Sequence, residues 1–105
     1  MARRAPAKPL TPKALFALGH IVATPAAIAL AGACGVAIAA LLSRHVTGEW
    51  GDTCPEDGRM NDRAARMGGQ RIVSSYKIDP SGKHRLWIIT EADRSSTCVL
   101  LPDED

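Results

Sequence analysis

The chain has 105 residues, 46% hydrophobic and 23% charged, which allows one domain with one modest core. Its net charge of +2 is uneven: residues 1 to 13 hold Arg3, Arg4, Lys8 and Lys13 and no acid, so the body carries more acidic than basic groups. An acidic body with a short basic tail argues against a nucleic-acid-binding surface, and three cysteines (Cys34, Cys54, Cys98) without C-x-x-C spacing argue against a disulfide framework or a zinc cluster.

In chain order, residues 1 to 13, with Pro6, Pro9 and Pro12, predict a disordered basic tail, and residues 14 to 105 a single domain. Residues 15 to 43 contain no Lys, Arg, Asp or Glu. A basic start followed by such a stretch is the pattern of a membrane anchor, which needs about 20 apolar residues. Here the hydropathy comes mostly from Ala, and Gly19, His20, Thr24, Pro25, Gly32 and Gly35 interrupt it where soluble elements would begin and end. "FALGHIVAT" alternates as a strand does. Thr24-Pro25 is a helix start, Gly32 and Gly35 end that helix, and Ile38, Leu41, Leu42 and His45 fall on one stripe of a second. The stretch therefore parses as strand, helix, turn, helix, and the expected protein is cytoplasmic with free thiols.

A third helix is expected after "GEWGD", with Thr53 and Glu56 as a capping box around Pro55 and with Met60, Ala64 and Met67 as its core stripe. Three β segments follow. "RIVSSYKI" turns at "DPSG", "HRLWIITEA" turns at "DRSS", and "TCVLLP" closes the chain. Tight links between them predict a three-stranded antiparallel meander, with the first strand added at its edge. The fold class is α+β: a short N-terminal strand, two to three helices and the meander, in two layers.

Known catalytic motifs are absent: there is no G-x-S-x-G, Walker loop, G-x-G-x-x-G after a strand, or H-E-x-x-H. His20, His45 and His84 are isolated in sequence, so no metal and no cofactor is expected. Two places draw attention. Trp50 in "GEWGD" is either a plug closing the core or an exposed anchor for a partner. In "TEADRS", Glu91 and Asp93 form a carboxylate pair and Arg94 suits bidentate contact with a carboxylate or phosphate. Glu91 and Asp93 leave open a small metal-dependent hydrolase or nuclease; the charged turn is otherwise a solvated or internally paired β-turn.

"LGHIVATPAA", "LLSRHVTGEWGD", "RIVSSYKI" and "WIITEADRSSTCVLLPDED" together resemble a family of small bacterial proteins carried on plasmids, prophages and integrative elements. That family shows an F-x-L-G-x-I-V-A-T-P-G-A-L start, a G-D-W-G-D centre and a W-I-I-T-E-A-D-R-S-x-T-T-x-L-L-P end, and the likeness runs over roughly residues 16 to 102. Ala26 departs from its usual Gly and Cys98 from its Thr, and Cys54 stands in the acidic loop. The resemblance implies a non-enzymatic accessory protein of a mobile genetic element, set in defence or counter-defence. Such a protein would act by binding a macromolecular partner, a protein rather than nucleic acid or a membrane. The expected surface is the loop pair holding Trp50, Asp52, Glu91, Asp93 and Arg94. The alternatives are the hydrolase and a membrane anchor through residues 15 to 43.

Overall fold

Thr24 sets the entry to the helical layer. Its hydroxyl oxygen accepts from the Ala27 amide (3.1 Å) and Pro25 takes the first helical position, so the first strand passes straight into a helix. In the computed structural model, which describes residues 13 to 105, the order is β1 (His20–Ala23), α1 (Pro25–Ala33), α2 (Ile38–Val46), α3 (Pro55–Met67), β2 (Ile72–Lys77), β3 (Arg85–Thr90) and β4 (Ser96–Leu100), then a short 3-10 turn at Pro102–Glu104. The expected tail lies outside the described residues except for Lys13. The Gly35 amide reaches the Gly32 carbonyl (3.2 Å) and the Val36 amide reaches Ala31 (2.9 Å), a Schellman-type close to α1.

The fold is α+β, and its sheet is wider than a meander. β2–β3 and β3–β4 are antiparallel, and β1 joins β4 in parallel, giving a mixed sheet in the order β1-β4-β3-β2. A parallel neighbour is possible because β1 and β4 lie at opposite ends of the chain and need no hairpin between them. Strand alternation assigns the two faces. Ile72, Ser74 and Tyr76 register with Thr90, Ile88 and Leu86, and Ile88 and Thr90 with Val99 and Thr97. This face packs with Ala27 and Ala31 of α1 and Leu41 of α2 into the main core; Ile72 joins Trp50 and Ala64 of α3 in a second cluster. Val73, Ser75, Trp87 and Ile89 lie on the opposite face.

Three expectations change in the helices. β1 is shorter than the alternation from Phe16 suggested, because Gly19 adopts a positive φ of 66° just before it. The capping box at Thr53 and Glu56 does not form: α3 has Cys54 as its N-cap with no side-chain cap bond, and Pro55 alone marks its first turn. Met60 and Met67 are 57% and 72% exposed, while Asn61 and Ala64 face inward. The Asn61 amide decides this rotation. Its nitrogen donates to the Val73 carbonyl (2.8 Å) and its oxygen accepts from the Val73 amide (3.2 Å), so α3 must turn that side chain to the outer edge of β2.

No single described helix is long and apolar enough to cross a membrane. α1 and α2 meet the length and composition criteria only as a pair bent by 107°. Their inward faces belong to the main core through Ala27, Ala31 and Leu41.

Gly51 and Gly32 give contrasting tests. Gly51 has φ of 75° and bridges β2 at Ser75; an added Cβ there would clash with the Ser75 carbonyl and the Tyr76 ring. Gly32 lies in α1 with open space around its missing Cβ. Urea unfolding should show Gly51→Ala losing more than about 2 kcal/mol, and Gly32→Ala gaining about 0.5 to 1 kcal/mol.

Candidate functional site

The structure separates the five residues expected to share one surface. Asp52 stands at the start of β3, paired with Arg85 and 3.9 Å from Lys77. Glu91, Asp93 and Arg94 follow its end, about 17 Å away along the strand. The loop pair is therefore two places.

Trp50 is 7% exposed. Its ring stacks near Phe16 (centroids 6.2 Å), stands edge-on to His45 (5.9 Å), and its indole N–H donates to Asp62 (2.9 Å). The aromatic contacts need the ring inside, so Trp50 plugs the core and presents no anchor. Around it the loop runs along the edge of β2: the Ser75 amide donates to the Trp50 carbonyl (3.1 Å), and the Asp52 amide to the Ser75 carbonyl.

Arg94 is turned inward too. It has φ of 62°, and Nη1 donates to the carbonyls of Gln70 (2.8 Å), Glu91 (3.1 Å) and Ala92 (3.1 Å). Nη2 donates to the Ala64 carbonyl (2.7 Å), which also accepts from the Gly68 amide (2.8 Å) where α3 ends. Both nitrogens are engaged by carbonyls, so the expected outward carboxylate or phosphate contact is replaced by a brace between α3 and the β3–β4 turn. Asp93 accepts from the Ser95 amide (2.9 Å), and bonds from the Ser95 hydroxyl and amide hold its carboxyl below the ordinary range. Glu91 pairs with Arg71 (3.2 Å), its neighbour across the β2–β3 register. Among the described residues no group of three or more His, Cys, Asp or Glu is placed to hold a metal ion.

Asp52 and Arg71 do meet one feature, a groove of about 510 Å3 between α3 and the sheet face carrying Trp87. Val73, Ser75 and Trp87 form its floor, Met60 and Asp57 its helical wall, and Arg71 and Arg85 mark its two ends. Each arginine is matched by a carboxylate, Glu91 or Asp52, in exposed pairs that contribute about 1 kcal/mol or less. Reasoning from sequence passes over Met60 because its helical spacing with Ala64 reads as core. It passes over Arg71, Arg85 and Trp87 because the relation between β2, β3 and α3 exists only after folding. An arginine at the start of each of two successive β candidates, Arg71 and Arg85, is the available signal.

Beneath the loops lies a second unpredicted arrangement. His45 is fully buried, with Nδ1 2.6 Å from the Ser74 hydroxyl and Nε2 2.9 Å from that of Thr90. Thr90 is 2.8 Å from Thr97, which donates to the Leu18 carbonyl (2.7 Å). That carbonyl can only accept, which orders the protons as far as the ring: Thr97 accepts from Thr90, and Thr90 accepts from His45 Nε2–H; burial keeps the ring neutral, so Nδ1 accepts from Ser74. The imidazole is thus the neutral Nε2–H tautomer, and burial lowers its pKa from 6.5 to about 4. With no solvent access it holds the structure together and reaches no substrate.

The chain matches no protein-family model, no curated protein and no solved structure.

Two measurements test the inward-facing groups. Arg94→Ala should cost about 2 kcal/mol in urea unfolding, and Arg94→Lys should recover little, since an ammonium cannot span the same carbonyls. For His45, the folded pKa lies below the unfolded one, so its contribution is complete above pH 6.5 and is lost as pH falls toward about 4. Stability should drop by up to about 3 kcal/mol over that window. Ring 15N shifts should report the neutral Nε2–H tautomer at pH 6.5 and above and give way to the imidazolium only near pH 4; a ring titrating near pH 6.5 would contradict the assignment.

Proposed function

We propose that this chain is a non-enzymatic accessory protein of a mobile genetic element, and that it binds a protein partner through the groove between α3 and the sheet. The groove is the observation that carries the binding reading. Its apolar floor contains Trp87 and Val73, its wall exposes Met60, and charges of both signs stand around it. An apolar centre with a polar rim is the anatomy of a protein interface, and Trp, Met and Arg are enriched there. The balanced rim and the acidic body favour protein over nucleic acid. Glu91 and Asp93 are engaged by Arg71 and Ser95, which favours binding over metal-dependent hydrolysis. The mobile-element setting, with a role in defence or counter-defence, follows from the motif resemblance. A cytoplasmic location fits the three free cysteines.

A photo-crosslinking side chain at position 60, introduced in host cells, should trap a discrete protein adduct, while the same group at the exposed Ala39 should not. Met60→Asp should weaken binding of the trapped partner at least tenfold, about 1.4 kcal/mol, with an unchanged melting temperature. A nuclease-sensitive adduct, or binding that survives both Met60→Asp and Trp87→Ala, would defeat the reading.

A further inference from the structure

The two edges of the sheet are treated differently. At β2, the outward N–H and C=O groups of Val73 and Ser75 are satisfied by the Asn61 amide and by the Trp50–Asp52 segment. At β1 no comparable partner stands among the described residues. The amides of His20 and Thr24 donate to the carbonyls of Ser95 (2.9 Å) and Val99 (3.0 Å). By strand alternation Val22 also faces β4, while Ile21 and Ala23 turn their N–H and C=O groups away from the sheet. β1 is short, four residues with two outward positions, but it carries no lysine, proline or bulge, the side-chain and backbone devices that usually blunt an edge. Ile21 and Val22 are 48% and 42% exposed, and Ile28 of the adjoining α1 is 55% exposed. No charged residue occurs from position 15 to 43 to repel an identical surface.

We propose that β1 pairs antiparallel with β1 of a second copy about a twofold axis at Val22, joining the two sheets into one. The register follows from the backbone. Opposing Ile21 to Ala23 of the other copy, and Ala23 to its Ile21, pairs every outward N–H and C=O of both strands. Shifting the axis to Ile21 would require Gly19 as a strand residue, and its φ of 66° takes it out of the strand. The same surface is satisfied less well by lipid, which has nothing to offer the open N–H and C=O groups. A second copy supplies both the backbone partners and the apolar surface, in the isologous form of twofold dimers. This surface lies at the edge opposite β2 and is independent of the groove.

Sedimentation of the full chain at about 100 µM should give twice the monomer mass of 11.1 kDa. Val22→Lys sets two ammonium groups across the axis, where Cα atoms lie about 4.5 Å apart, and should raise the dimer dissociation constant at least tenfold. The converse test is a crosslink. With Cys34, Cys54 and Cys98 replaced by Ser, Val22→Cys should form an intermolecular disulfide, since that spacing suits one. Replacing Cys98 also removes the registered neighbour of Val22 within the chain. Ile21→Cys, facing Ala23 across the axis, should crosslink far less. A monomeric wild type, a dimer indifferent to Val22→Lys, or equal crosslinking from both positions would overturn the proposal. So would partition of the monomer onto neutral lipid vesicles in place of dimerisation.

Discussion

The proton-ordered chain from Ser74 through His45, Thr90 and Thr97 to the Leu18 carbonyl is the constraint on which the other contacts depend. It joins α2 to β2, β3, β4 and the segment entering β1. A buried imidazole with an unmet nitrogen would cost about 1 to 3 kcal/mol; here each nitrogen has a hydroxyl at hydrogen-bonding distance. The ring also sets the aromatic cluster, because Phe16 stands edge-on to it at 5.3 Å and Trp50 at 5.9 Å. With Trp50 held there, the loop through Gly51 lies along β2 and occupies that edge at Ser75.

Polar side chains near the helices are spent on backbone groups. Asn61 acts as a strand partner for Val73, and Arg94 gathers carbonyls from α3, from Gln70 and from the β3–β4 turn. Glu104 at the chain end accepts from both the Thr24 hydroxyl (2.7 Å) and the Leu101 amide (2.8 Å), fastening the last turn to the start of α1. Anchoring α3 through Asn61 and Arg94 keeps the groove wall in place without a ligand, which suits a preformed site. The groove borders β2, and the open edge is β1, three strand spacings or about 14 Å away. One partner at each is geometrically compatible with the other.

Local chemistry alone determined much of the architecture. Thr24-Pro25 starts α1, the turn at Asp79–Gly82 closes as its residues dictate, and the β segments pair as their short connections require. The alternating stripe of α2 likewise places Leu41 and His45 inside. Tertiary structure decided everything that depends on a distant partner. The parallel docking of β1 on β4, the exposure of Met60 and Met67, the inward turns of Trp50 and Arg94 and the groove between α3 and the sheet are of this kind. Helical spacing defines a stripe but not which stripe faces the core, and here the edge of β2 chose Asn61. A charged residue in a turn declares its charge, and only the fold reveals whether carbonyls already surround it.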